Sequence, residues 1–572
     1  MPLAGIRNLS IWLILGLLGL AIAVLVPDRS LPWPAFRQEA IAASAFLFIA
    51  GAAIERSDQV VWPRLALVAL ASAGIPLLQL AAGLILFRGD AIVSAAYLAA
   101  FGCSICVGAT LARSALRVQT FDGLVACFVF GAIVSTGLAL SQWLGPSTWG
   151  DWIATLPPWG RPYANMAQAN HLATQLALGV GGLVVWYEQR RVGSWAATAG
   201  VVWLGWGMAM TQSRTGWLVV VLLVVWWALM RTRAGLRLAP AAIAGGIVLF
   251  ALAVVAQTPL LELWLGPQPL GQDGVQPLLR LAPGTRWGHW QILGDALIRS
   301  PWFGQGWNQI SNAQFAVATD HPAIREWAMH SHNLVLDLLL YNGLPLGLLL
   351  CAGLVAWFGR RVIECRSAQS WYLLFALFAL LVHALLEYPL HYLFFLLPAG
   401  LMMGFLEYSA PSLRSIIQAS KWTLIGPTVG LAVLAGAIGL EYLKAEEALR
   451  DLELTARRIG PPASELPRAD WYFVDGWAAY HRAVTVTIDS SISAADYDNL
   501  KKVAARYTYP NVLERYAQAS VLRGDGQTAE HVLLHSCKVH SLPVCEGMQS
   551  RWKAYQSKYP ELQAPAFPAL TN

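Results

Sequence analysis

Charge is what this sequence has least of. Asp, Glu, Lys and Arg make up 13% of its 572 residues, about half the share found in an ordinary soluble protein. Hydrophobic residues make up 56%, and the mean hydropathy is +0.51. No soluble core hides that much apolar surface, so lipid must solvate most of the chain. The net charge of +6 is spread too thinly to line a nucleic-acid groove, which excludes nucleic acid as a partner. Patterned cysteine is missing too. The seven cysteines show no metal-ligand spacing, and Cys103 and Cys106 sit inside an apolar run, where they read as small packing residues. Cys537 and Cys545 lie in a polar tail, where they either pair, if that tail is outside the cytoplasm, or remain thiols. No small-residue cleavage site follows the first apolar run, Ile11 to Val26, so it reads as a retained span rather than a signal peptide.

What is present is a series of apolar runs. A bilayer core takes about 20 residues of helix. Runs that meet or approach this fall at 9–26, 40–54, 65–87, 91–112, 121–144, 167–187, 194–210, 216–230, 239–256, 333–358, 371–387, 390–408 and 422–441. The fold they predict is an all-α polytopic membrane protein with about 12–13 transmembrane helices. With the N-terminus inside, the alternate short loops hold 15 Lys and Arg on the inner side and 5 on the outer side, as the positive-inside rule requires. Many of the 26 Trp crowd where apolar runs meet polar loops, as interfacial aromatic belts do. This orientation places three segments outside: a Trp- and Pro-rich loop at 145–166, a long loop at 257–332, and the tail. Loops as long as the second usually carry function.

The expected division is a membrane domain, 1–441, that includes loop 257–332, followed by a small helical periplasmic domain, 442–572. In the tail, YPNVLERYAQASVLRGDGQTAEHVLLHSCKVH reads as helix, Gly-containing turn, helix, similar to one tetratricopeptide unit. The plain reading of this domain is a packing cap without catalytic residues.

Chemistry-bearing residues gather on the outer side. HSHNLVLDLLLYNGLPLG (330–347) puts His330 and His332 where the long loop re-enters the membrane. A neutral His near a helix N-terminus suits a general base for a hydroxyl, although His is also at home as a plain interfacial residue. Three arginines keep them company: Arg161 in RPYANMAQANHLA, Arg214 in TQSRTGW, and Arg286 in PGTRWGHW. The outer side of a membrane protein is normally Arg-poor, and a planar guanidinium grips phosphate oxygens two at a time. A lipid diphosphate donor needs such a set, while a salt bridge or headgroup contact explains any one of them. In HALLEYPLHYLFFLLP (383–398), Glu387 and His391 flank a Pro-containing break. Gln168, Asn170 and His171 add polar groups at the mouth of the sixth span and read as substrate contacts.

Taken in order, R-x-x-x-N-x-x-x-x-N-H-L-A, S-R-T-G, R-W-x-x-W…P-x-x-G-x-G, H-N-x-x-L…N-G and L-E-Y-P-L-H-Y resemble the bacterial O-antigen ligase/polymerase superfamily. The last motif resembles that of the PglL-type protein O-oligosaccharyltransferases. The likeness spans about residues 10–410. It implies a GT-C-like membrane fold, an undecaprenyl-diphosphate-linked oligosaccharide donor, and inverting transfer without metal or cofactor. It implies that His332 is the essential residue and that Arg214 and Arg286 hold the diphosphate. Arg161, Gln168, Asn170, His330, Glu387 and His391 would then position donor or base. No Asp-rich metal motif is present, and guanidinium groups would stabilise the leaving diphosphate instead.

The function this implies is transfer of a glycan to Ser or Thr of an acceptor protein such as pilin. It would take place at a site facing the periplasm from the bacterial inner membrane, with membrane lipid as a further partner. The nearest alternatives keep the chemistry and change the acceptor, to lipid A-core sugar (an O-antigen ligase) or a growing glycan (a polymerase). A transporter or flippase would show repeated halves and midplane ionisable groups, and this sequence has no convincing repeat. A membrane-anchored scaffold would not need the arginine and histidine set.

Overall fold

The computed structural model describes residues 10–27, 31–145, 150–156, 160–266, 286–409, 416–462, 465–467 and 469–569. All thirteen apolar runs form helices. The first two are α1 (Ile11–Ala23) and α2 (Phe36–Arg56), and the third breaks at Ala73 into α3 (Arg64–Ser72) and α4 (Gly74–Ala81). Next come α5 (Arg88–Arg113), α6 (Arg117–Trp143), α7 (Ala169–Glu188), α8 (Ser194–Met210), α9 (Arg214–Met230) and α10 (Pro240–Leu265). The long loop carries α11 (Arg286–Arg299) and α12 (Ile310–Val317). The last apolar runs are α13 (Leu334–Glu364), α14 (Ala368–Ala384), α15 (Leu393–Ser409) and α16 (Trp422–Ala456). Among the described residues seven of these elements are long and apolar enough to cross a bilayer: α2, the α3–α4 pair, α5, α6, α10, α13 and α16. The chain is an all-α polytopic membrane protein.

One departure from all-α is small. β1 (Gln59–Pro63) pairs antiparallel with β2 (Ile416–Ser420), with Val61 opposite Gln418. The Trp62 indole donates to Thr423 Oγ1 at 2.9 Å. Two five-residue strands more than 350 positions apart give too little periodicity to be seen in the sequence.

The chain groups into two compact units. The first comprises residues 1–71, 97–281 and 355–435; the second comprises 72–96, 282–354 and 436–572. Contact grouping therefore does not follow the expected cut at 441. The tail falls in with the long loop and with residues 72–96.

In the first unit, Trp371, Tyr372, Phe375, Phe395 and Phe405 are fully buried. α5 and α15 cross backbone to backbone. A Cβ on Gly108 would lie 2.2 Å from the Leu401 carbonyl oxygen, and one on Gly404 only 1.9 Å from that of Ile105. Small residues permit such approaches between membrane helices. Cys103 and Cys106, in the same stretch of α5, are fully buried free thiols.

In the second unit the tail forms α17 (Asp475–Thr485), α18 (Ala494–Arg506), α19 (Pro510–Leu522), α20 (Gly526–Val539) and α21 (Leu542–Lys558). The α19–α20 hairpin turns at Arg523–Asp525, and Asp525 caps α20 by accepting from Thr528 N. Cys537 and Cys545 form a disulfide. Leu500, Val503, Tyr507, Leu513, Tyr516, Leu533 and Trp552 build a core that also takes in Phe87. The tail also grips the start of α5. The Asp475 carboxylate accepts from Arg88 N at 2.9 Å and Gly89 N at 2.8 Å, filling two of the amides that a helix N-terminus leaves unpaired. Beside it, Arg506 reaches Asp90 with two bonds, 2.7 and 2.9 Å, and Gln309 Nε2 donates to the same carboxylate.

α13 breaks at Gly343, whose φ of 76° and ψ of 172° belong to a region open essentially to glycine alone. The break admits the P-W-F-G-Q turn of the long loop. Leu344 N donates to Pro301 O at 2.7 Å, and Gln305 N to Leu340 O at 2.6 Å. A Cβ on Gly343 would meet Trp302 O at 2.3 Å, and one on Gly304 would meet Leu340 O at 2.3 Å. This turn-on-helix contact is the physical content of the P-x-x-G-x-G and N-G motifs. Gly343→Ala is therefore expected to cost about 1–3 kcal/mol in backbone strain alone, with the steric clash added. The check is thermal unfolding in detergent against Gly353→Ala, a position on the same helix with open space around it. Equal midpoints would show that the break is not needed.

Candidate active site

In the first unit, Asn170 is the hub. It lies in the first turn of α7, and its Oδ1 accepts from Ser213 Oγ at 2.7 Å and from Arg161 Nη2 at 3.4 Å. Its Nδ2 donates to Glu387 Oε1 at 2.9 Å. Arg161 also donates from Nε to the Thr211 carbonyl at 2.9 Å. One amide thus ties together the loop before α7, the turn between α8 and α9, and the break between α14 and α15. Asn170, Ser213 and Glu387 are buried, so a hydrogen-bonded set is what the site requires. All three of these bonds go to protein groups.

Ser213 also caps α9, accepting from Gly216 N at 3.0 Å. The next residue, Arg214, starts the helix exposed. Gln212, just before the cap, has a left-handed φ of 46°, and Ala164 and Ala167 in the loop before α7 have 52° and 60°. Left-handed backbone at ordinary residues concentrates at functional sites.

Gln168 is the residue before α7, half-buried, and its Oε1 makes no hydrogen bond. His391 ends a 3-10 turn, Pro389–His391, beside the Tyr388 ring at 6.2 Å. His171, expected as a substrate contact, is instead enclosed. Its ring packs at 4.8 Å on Tyr392 and 5.2 Å on His383, with Nδ1 at 3.2 Å from Met166 O. His383 in turn pairs with Thr174 at 2.8 Å.

In the second unit, α13 starts at Leu334, so His330 and His332 precede the helix rather than open it. The cap is Asn333, whose Oδ1 accepts from Val335 N at 3.0 Å and Leu336 N at 3.2 Å. His332 has a left-handed φ of 56° and is half-buried. Its neighbours hold that shape. The Ser331 hydroxyl donates to Asn333 O, Ser331 N donates to Asp337 Oδ1 at 2.9 Å, and Ser331 O accepts from the Trp290 indole at 2.9 Å. Trp290 is one helical turn beyond Arg286 on α11, so the two share a side of that helix. One bond thus links the helix that carries Arg286 to the turn that carries His332.

Also on α11, the Asp295 carboxyl is held below the usual carboxylate range by hydrogen bonds from Arg299 and His321. Among the described residues no group of three His, Cys, Asp or Glu side chains is placed to hold a metal ion.

Residues 199–351 match the family described as O-Antigen ligase, and residues 371–540 match the family described as Virulence factor membrane-bound polymerase, C-terminal. A General O-oligosaccharyltransferase of Acinetobacter baylyi is 27% identical over 548 residues, 91% of each chain. The chain is similar to the O-antigen ligase family over the first of these segments and to a General O-oligosaccharyltransferase over most of its length. A second relative from the same organism, a ComP-specific O-oligosaccharyltransferase, is 30% identical over 43% of this chain and 44% of its own length. The ligase match contains Arg214, Arg286, His330 and His332, and the second match contains Glu387 and His391. Arg161, Gln168 and Asn170 lie ahead of both.

Sequence reasoning picked out the charged candidate residues of each unit and passed over their supports. Ser213 was legible, since a Ser just before an apolar run is a helix-start signal. Asp337 was legible as the acid in the first turn of α13. Trp290 stood in the sequence only as the last letter of R-W-x-x-W, because its role depends on a hydrogen bond to a backbone carbonyl 41 positions away.

Proposed function

We propose that this protein transfers an oligosaccharide from undecaprenyl diphosphate to a Ser or Thr hydroxyl of an acceptor protein such as pilin, on the periplasmic face of the inner membrane. The observation that carries this reading is the likeness over 91% of both chains to a General O-oligosaccharyltransferase. His332 takes the proton of the acceptor hydroxyl, whose oxygen attacks the anomeric carbon. The bond from that carbon to the diphosphate breaks, and the lipid diphosphate leaves with its charge held by Arg214 and Arg286. Arg161 and Glu387 act through Asn170, and Gln168, His330 and His391 are assigned to donor or acceptor contacts. The Cys537–Cys545 disulfide supports an oxidising location for the tail.

The experiment is glycan transfer by the purified protein in detergent, with lipid-linked donor and with pilin-like protein and lipid A-core offered side by side. Glycan on the protein is the expected product. Glycan on lipid A-core alone would make the chain an O-antigen ligase in the narrow sense.

Two further outcomes are expected. Cysteine-accessibility labelling of the tail should succeed in intact spheroplasts. Labelling only after the inner membrane is breached would overturn the orientation and the periplasmic site with it. EDTA should leave transfer largely unchanged, because the reading assigns the leaving group to guanidinium groups. Strong inhibition reversed by magnesium would replace this mechanism with a metal-assisted one.

A further inference from the structure

α11 has the wrong outer surface for a helix in water. Its core side buries His289, Ile292, Leu293, Ala296 and Leu297. Opposite, Trp287 is 65% exposed and Ile298 is 76% exposed. Eleven residues at about 100° each bring these two within roughly 20° of one another, about 16 Å apart along one edge. The turn that follows adds Trp302 at 71% and Phe303 at 75%. The charged group of Asp295, Arg299, Asp320 and His321 lies to one side of this edge. Four large apolar side chains, two of them indoles, thus stand out from one short segment of an extramembrane loop.

The position of that turn says what covers them. Pro301 and Trp302 lie against the break of α13: Leu344 N bonds to Pro301 O, and the Gly343 Cα stands against the Trp302 backbone. From that level α13 runs on as a membrane-crossing helix, exposing Leu344, Leu348 and Leu349. The Trp302–Phe303 turn therefore adjoins the exposed apolar surface of α13 where its uninterrupted stretch from Leu344 to Glu364 begins. Indole and phenyl rings at that depth are the composition of an interfacial belt, and a helix with one core face, one apolar edge and flanking charge is built to lie in the headgroup region.

We infer that α11 and the Trp302–Phe303 turn are a membrane-interface anchor whose partner is the lipid headgroup region of the bilayer that α13 crosses. The anchor fixes the height of the second unit's loop against the membrane surface. Arg286, the first residue of α11, is thereby held at the depth of lipid phosphates. The inference stands apart from the transfer reading, and the failure of either leaves the other intact.

The test is spin labelling of the full chain in vesicles of phosphatidylethanolamine and phosphatidylglycerol. Trp287→Cys and Phe303→Cys are labelled with a nitroxide and compared with Asp320→Cys, and the unsubstituted protein treated identically serves as the blank. Collisions with oxygen, which concentrates in lipid, and with a water-soluble nickel chelate report the surroundings. The expected result is an oxygen-to-nickel collision ratio severalfold higher at positions 287 and 303 than at 320. Ratios equal to that at 320 would overturn the proposal by showing a wet surface. Low collision with both reagents would overturn it by showing a protein cover. Because all three positions are on the exterior, folding is not at stake, and thermal unfolding of each variant checks this.

Discussion

Replacing His332 is expected to lower glycan transfer by roughly 10²–10⁴-fold, the contribution of a positioned general base, while the protein stays folded and inserted. His332→Asn is the sharper variant. The residue sits at φ 56°, where Asn is tolerated far better than Ala, so Asn removes the base and keeps the turn. Loss of activity in both the Asn and Ala variants, with unfolding unchanged for Asn, separates chemistry from strain. His330→Ala is the companion measurement. A dead His330 variant beside an active His332→Asn would move the base to the other histidine.

Arg214→Lys and Arg286→Lys are each expected to lose transfer by about ten- to a hundredfold. That range corresponds to roughly 1.5–3 kcal/mol for a hydrogen bond to a charged partner. Lysine keeps the charge but cannot offer two parallel N–H groups to one diphosphate. The loss should appear in kcat as well as KM, because charge on the leaving diphosphate grows as the glycosidic bond breaks. Near-normal rates in both variants would leave these arginines a steering role only. Arg161 is a poor choice for the same experiment, since its guanidinium is bonded to Thr211 O and Asn170 and its loss would disturb the hub.

The contrast between Arg214 and Arg161 shows what a sequence can carry. Long apolar runs announce spans because lipid imposes a length and a composition, and each run here became a helix. Boundaries were weaker. α16 continues to Ala456, well past the end of the apolar run at 441, since KAEEALRD propagates a helix as well as it ends a span. Charged residues at the outer surface stand out because they are rare there. What a side chain bonds to does not stand out, because it depends on which distant elements converge. Asn170 could be read as a polar group at a helix mouth, but not as the meeting point of residues 161, 213 and 387. His330 and His332 could be read as opening an apolar helix, although Asn333, an N-cap residue type directly before the apolar run, offered the signal that the helix starts after them.

Asp475 and Arg506 bear on how such proteins can be recombined. They bind the first turn of α5 through Arg88, Gly89 and Asp90, and Gln309 of the long loop shares the Asp90 carboxylate. A tail grafted from a relative would arrive without its matching socket and would leave the half-buried Asp90 carboxylate without its Arg506 partner. Chimaeras meant to exchange acceptor preference therefore have to carry residues 88–90 and 309 along with the tail. In evolution, these distant stretches should change together or not at all.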